Sequence, residues 1–322
     1  MEDYIMTLDV GGTRIKYGAV TAGGKILKSA STPSMSQDGP ENLLALLGHC
    51  IGETTTEMGT TPLGIGLGLS GGIDPERGVV LLPGKFKSLE GFPLVPKLRA
   101  QYGIPVWADN DGRLAAYAEK HFGAALGQDW VVVFTLGTGV GSGVILDGRI
   151  LIDAYFMAGT QIGHLIIDKS DDRTCLTGNP GTGEILCSST ALALQVRSAI
   201  QRGIPSVLTD AFFQNPVSID FHRVTEACRM GDALCQQELD VWTRNLATML
   251  INAVHCYGAT RIILCGGATH AADLYLDTVT DLVNARLFRY PSDRQVEIVI
   301  SELRDYAGML GAAAMMTERL KH

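Results

Sequence analysis

The chain has 322 residues, enough for two domains on length alone. Its net charge of −8 argues against a nucleic-acid-binding surface, and no apolar run approaches the roughly 18 residues of a membrane span. Hydrophobic residues make up 46% and charged residues 19%, the balance of a packed globular protein, while glycine is enriched to 38 residues. The acidic start Met1-Glu2-Asp3-Tyr4 lacks the basic opening of a signal peptide. Seven cysteines form no C-x-x-C pair, which reads as reduced thiols in a cytoplasmic protein.

In chain order, Tyr4 to Val10 reads as a buried strand and residues 4–31 as a meander of strands. The turn from Leu8 to Gly18 carries Asp9, Gly11, Gly12, Thr13 and Lys16. Glycines let backbone N–H groups approach a phosphate, an acid can hold a metal ion, and a lysine neutralises phosphate charge. A plain Gly-Gly hairpin is the competing reading. Asn42 to Met58 has helical spacing. Leu63 to Leu69 is a strand with Gly64, Gly66 and Gly68 at alternate positions, so that face must meet another backbone or a ligand. A short helix over Pro93 to Tyr102 and a strand over Ile104 to Ala108 lead to Asp109-Asn110-Asp111, followed by a helix over Gly112 to Phe122.

The β-branched run Trp130 to Thr135 opens a second strand–turn–strand, with Gly137, Thr138 and Gly139 in its turn. Two such turns can clamp a polyphosphate. The later chain reads as mostly helical: Thr190 to Arg202, Val224 to Met230 and a long helix over Ala233 to Tyr257. The strand at Arg261 to Cys265 ends in Gly266-Gly267, which lets something flat approach the backbone. A helix near Ala271 to Arg286, a strand over Val296 to Ile300 and a last helix from Asp305 close the chain. Alternating strands and helices make the class α/β with mixed sheets. Acidic residues at the end of a strand before a helix sit where such folds place chemistry. Asp111 reads either as a helix N-cap or as a general base that takes the proton of a substrate hydroxyl attacking a γ-phosphoryl group.

This order of motifs resembles the ROK family (repressor, open reading frame, kinase) of bacterial sugar kinases, within the actin/hexokinase-like ATPase superfamily, over essentially the whole chain. The resemblance implies two actin/ribonuclease-H-like domains flanking an active-site cleft. The smaller would span 1–112 plus 304–322, because the closing helix at Ala307 to Ala313 returns to it, and the larger 113–303. It implies ATP-dependent phosphorylation of a hexose or N-acetylhexosamine at the 6-hydroxyl, with Asp111 as the base. Asn110, Gln161, His164, Glu184 and Gly71 would touch the sugar. Asp9, Gly11, Gly12, Thr13, Lys16, Gly137, Thr138, Gly139, Gly266 and Gly267 would hold ATP, with Asp9 also serving Mg²⁺ through water. A homodimer without nucleic-acid or membrane partners is expected.

The departures matter as much. Gly68-Leu69-Ser70-Gly71-Gly72 stands where the family has G-x-P-G-P. Gln161 replaces the glutamate of the family's G-E-I-G-H segment, whereas His164 is kept. An amide both donates and accepts where a carboxylate only accepts, so sugar preference should differ. The family's C-x-C-G-x-x-G-C-x-E zinc motif aligns with Cys175 to Glu184, and Thr177 and Thr182 replace two of its cysteines. Structural zinc takes four ligands, commonly thiolate and imidazole, so no zinc is expected. Around Pro83-Gly84-Lys85-Phe86 no equivalent of the family's frequent asparagine is evident. The alternative function is a non-catalytic or weakly catalytic sugar sensor. The family's repressors carry a DNA-binding domain before the first phosphate strand, which here begins by residue 4.

Overall fold

The structure, a computed structural model, describes residues 2–34, 37–82, 84, 86, 88–291 and 293–321. Pro83 and Lys85, in the segment where the family often has an asparagine, lie outside the described residues.

In chain order the strands are β1 (Ile5–Val10), β2 (Arg14–Val20), β3 (Ile26–Pro33), β4 (Ile65–Leu69), β5 (Gly72–Ile73), β6 (Val80–Leu82), β7 (Val106–Asn110), β8 (Val131–Leu136), β9 (Val140–Leu146), β10 (Arg149–Ile150), β11 (Arg261–Cys265) and β12 (Glu297–Ile300). The helices are α1 (Pro40–Met58), α2 (Leu94–Tyr102), α3 (Asp111–Phe122), α4 (Gly183–Cys187), α5 (Ser189–Gln201), α6 (Thr209–Gln214), α7 (Phe221–Arg229), α8 (Ala233–Tyr257), α9 (Leu276–Arg286) and α10 (Ala307–Leu320).

The chain divides into two units. The first comprises Met1–Gly127, Ile150–Thr160 and Glu302–His322; the second comprises Gln128–Arg149 and Gln161–Ser301. The first unit's sheet runs β3-β2-β1-β4-β7, with β1–β2 and β2–β3 antiparallel and β1–β4 and β4–β7 parallel. The other five-stranded sheet runs β10-β9-β8-β11-β12, antiparallel at β8–β9 and parallel at β8–β11 and β11–β12. Each sheet is therefore an antiparallel hairpin continued by parallel strands, the same plan used twice.

The first unit reaches further along the chain than Gly112, where the sequence reading put its limit. The reason is α3, which packs on α10: Gly311 presses against the Leu114 backbone, so a Cβ there would collide with it. Gly66 likewise meets the Ala312 backbone and Gly64 meets Met316. Gly66 of β4 thus admits a helix backbone, the first of the two occupants the sequence allowed. Met309, Leu310, Ala313 and Met316 of α10 are buried with Ile5 and Val20.

In the second unit, α8 is capped by Asp232, whose side chain accepts from Cys235 N at 2.8 Å, and ends at Gly258 in the left-handed region. Its fully buried Trp242 donates to Ser188 O at 3.1 Å and so fixes the α4–α5 junction. The single helix expected over Ala271 to Arg286 is instead a 3₁₀ segment, Gly267–Leu274, followed by α9. The break falls at Tyr275, whose ring is buried edge-on to Trp242 with its hydroxyl donating to Ala268 O.

Candidate active site

Asp111 is the first residue of α3, and Asn110 is its N-cap. Asn110 Oδ1 accepts from Gly112 N at 3.0 Å, and its Nδ2 donates to Gly71 O at 2.8 Å and to Asp111 Oδ1 at 3.0 Å. The cap reading of Asp111 therefore passes to its neighbour, and the Asn110 amide is committed to Gly71 and Asp111. Gly71 meets this bond with φ 147. Asp111 Oδ1 also accepts from Gly112 N at 2.8 Å. Asp111 keeps partial exposure, yet its carboxyl is raised to about 6. Desolvation is the main cause and the nearby Asp9 carboxylate adds to it, against lowering bonds from Gly112, Asn110 and Ser70.

Asp9, the last residue but one of β1, pairs with Lys16 on β2 and with Gly68 on β4. Its carboxylate packs on Gly308 of α10, where any side chain would strike it. Desolvation raises it, partly offset by the charge of Lys16. Lys16 Nζ itself donates to Asp305 O at 3.0 Å and lies 3.6 Å from Asp305 Oδ1, so it is turned towards the start of α10. Gly11 N closes the β1–β2 turn on Arg14 O at 3.0 Å, leaving Gly12 partly exposed and Thr13 exposed. Two like charges, Asp9 and Asp111, together with a glycine turn, make an anionic corner that a divalent cation would relieve.

Arg113 carries no signal in the sequence beyond a spacing of four from Asp109. It is fully buried, donates through Nε to Asp109 Oδ1 at 2.8 Å, and also bonds Phe156 O. It locks the start of α3, and with it Asp111, to the segment before Thr160. Ser70, which stands where the family has a proline, also acts on Asp111 through its hydroxyl.

In the second unit, Gly137 N donates to Gly139 O at 3.0 Å across the β8–β9 turn, and Ser189 N donates to Gly137 O at 2.8 Å. Glu184, in the first turn of α4, accepts from Val140 N at 3.1 Å, and its carboxylate fills the space a Cβ on Gly139 would need. Gly266 has φ 91 and presses on the Leu136 backbone, whereas Gly267 faces open space. The structure thus gathers Gly137, Thr138, Gly139, Glu184, Gly266 and Gly267 around one turn. A cavity of about 820 Å³ opens beside it, lined by Thr138, Glu184, Ser188, Leu194 and Gln195 among others. Strand β9 also sets the next segment: Ser142 Oγ accepts from Ile162 N at 3.2 Å, and Gly163 lies against Val140. Gln161 precedes the 3₁₀ turn Ile162–His164, and His164 Nδ1 is buried with no hydrogen-bond partner. Among the described residues, no three His, Cys, Asp or Glu side chains cluster to hold a metal ion, and no helix is long and apolar enough to cross a membrane.

The model of the ROK family matches residues 5–319. A glucokinase of Thermotoga maritima is 29% identical over 98% of this chain and 98% of its own. A xylose repressor of Caldicellulosiruptor bescii is 28% identical over 86% of this chain and 68% of its own. The crystal structure of a ROK hexokinase from Thermus thermophilus superposes with a TM-score of 0.81 at 26% identity, covering 99% of each chain.

Proposed function

The chain belongs to the ROK family, and we propose that it transfers the γ-phosphoryl group of ATP to a sugar hydroxyl, with Asp111 as general base. The observation that carries this reading is the Asp111 carboxyl itself, raised to about 6 at the start of α3. A base of that strength stays ionised at neutral pH and is stronger than an ordinary aspartate. It takes the hydroxyl proton as the sugar oxygen attacks the γ-phosphorus. The likeness to a glucokinase along almost the whole chain supports the same chemistry.

Asp111, Asn110 and Gly71 from the first unit, and Gln161, His164 and Glu184 from the second, are assigned to the sugar. Asn110 contributes mainly by holding the Asp111 carboxylate, because its amide is already committed. Thr13, Gly137 and Thr138 are assigned to charge on the transferring phosphoryl group, with Gly11, Gly12 and Gly139 shaping the two turns. Gly266 and Gly267 are assigned to adenosine. Lys16 serves phosphate only by leaving Asp305. Mg²⁺ suits the Asp9–Asp111 corner, where Asp9 would hold it through water; bound there it neutralises phosphate charge. The Cys175–Glu184 segment is assigned no zinc, since Thr177 and Thr182 supply no thiolate or imidazole. A homodimer is the proposed assembly, and the product is a hexose or N-acetylhexosamine 6-phosphate.

The test is ATP-dependent phosphorylation measured across hexoses and N-acetylhexosamines, with Asp111→Asn beside the parent protein. The variant should lose about 10²- to 10⁴-fold in kcat while calorimetric sugar binding persists. Near-normal turnover would remove Asp111 from the base role. The likeness to a xylose repressor favours a second reading, a sugar sensor. Sugar binding without phosphorylation of any sugar by the parent protein would select it.

A further inference from the structure

The segment after His164 folds back on that residue. Ile166 and Thr182 form an antiparallel bridge, and Gly183 N donates to Leu165 O at 2.9 Å. Between them a tight turn closes as Cys175 N donates to Asn179 O at 3.0 Å and Gly178 N donates to Cys175 O at 2.9 Å. His164, Thr177 and Thr182 are thereby gathered around one sulfur. Cys175 Sγ lies 3.0 Å from Thr177 Oγ1. Thr182 is fully buried and its Oγ1 has no hydrogen-bond partner; His164 Nδ1 is in the same condition. Neither bond to the sulfur is closed, yet both groups stand near enough to act on it. Two buried polar atoms without partners are costly, and a thiolate beside them would accept from the Thr182 hydroxyl and, in its Nδ1–H tautomer, from His164.

We propose that Cys175, cradled by His164, Thr177 and Thr182, is a modification site that takes an oxygen atom from a hydroperoxide. Burial pushes the thiol up, but the hydroxyl and backbone of Thr177, then His164 and Thr182, outweigh it and bring Cys175 down to about 6. Cys175 is 7% exposed beneath an exposed turn of residues 176–179, a thin cover for a small oxidant. Cys187, Cys228 and Cys235 differ, because burial raises all three.

In the step, a thiolate lone pair attacks one peroxide oxygen, an S–O bond forms and the O–O bond breaks. Hydroxide leaves from hydrogen peroxide, or alkoxide from an organic hydroperoxide, and takes a proton from solvent. Sulfur loses two electrons, the peroxide gains them, and Cys175 becomes a sulfenic acid. The added oxygen occupies the space that His164 Nδ1 and Thr182 Oγ1 face. Resting on the sugar-kinase reading, this displaces His164, so the oxidised protein should show a raised sugar KM with kcat less affected, reversed by dithiothreitol.

The test is made on the whole protein carrying Cys256→Ser, which removes the one exposed cysteine among the described residues. Iodoacetamide labelling of Cys175 is followed by mass spectrometry against pH. The half-maximal rate should fall near pH 6, against about 8.5 for an ordinary thiol. The midpoint is the readout, because a low-pKa thiolate is also a weaker nucleophile. Thr177→Val, at an exposed position, should raise the midpoint without unfolding the protein. Hydrogen peroxide with dimedone should give one adduct, on Cys175. A midpoint above pH 8, or dimedone adducts that avoid Cys175, would overturn the proposal. Both readouts are independent of kinase activity, so they stand or fall apart from the proposed function.

Discussion

Asp111 joins two properties that usually oppose each other. Its folded carboxyl is raised to about 6 from 3.8, so the folded state favours the protonated form. The stability this gives is full below the unfolded value and is lost as pH rises through about 6. At pH 7 to 8 the ionised carboxylate therefore costs stability, and Asp111→Asn should raise Tm while lowering kcat about 10²- to 10⁴-fold. A variant with a lower Tm would mean that the carboxylate is not strained in the folded state. In the proposed mechanism the same ionisation sets the rate. kcat/KM should climb with pH, bend near 6, and fall about tenfold per pH unit below that bend; a bend below 4.5 would place the base elsewhere. In the proposed site Gln161 would bear on choice of sugar rather than on rate. Gln161→Glu removes a donor from the segment before His164, so the ranking of sugars by kcat/KM should reorder. An unchanged ranking would free that position of any role in selection.

At the scale of elements, glycines decide where backbones meet. Glycine on alternate positions of β4 announces a close approach, and that much is legible from sequence. What approaches is not, because α10 lies at the other end of the chain. Gly66→Ala would drive a methyl into the Ala312 backbone and should lower stability by about 1–3 kcal/mol, seen as a lower urea midpoint at unchanged m. Gly266→Ala meets both a φ of 91 and the Leu136 backbone. It should weaken ATP binding in calorimetry more than sugar binding, since the distortion is passed to the β8–β9 turn. The cap of α3 shows a different limit. Asn110 and Asp111 are both good N-cap residues, and only the extended backbone of Asn110, φ −65 and ψ 142, settles which one serves. Arg113 was illegible for a related reason. An arginine four residues after an aspartate reads as a surface pair, and its burial depends on the distant Phe156 carbonyl.

For the molecule as a whole, the recurrence of one sheet plan was readable because each copy announces itself by a glycine hairpin after a β-branched or apolar strand. The limits of the units were less so, since α3 follows a catalytic-looking segment and carries no boundary signal of its own. Its place is fixed by apolar contact with α10, through Leu114, Ala312 and Met315, which local pattern does not encode. The first unit is thus assembled from three separate stretches of chain, and α10 is its last-made part. Its core residues Met309, Leu310 and Met316 pack with Ile5 and Val20 rather than with β12, the strand just before it. Cooperative opening follows packing and not chain order. Native-state hydrogen exchange should accordingly show the α10 amides opening with β1 and β4, at one common free energy that falls together in Gly66→Ala. The amides of β11 and β12 should keep their protection in that variant. If α10 instead exchanged with β12 and the Gly66→Ala effect spread equally to β11, stability would be shared along the chain, and the three-segment unit would not be a cooperative one.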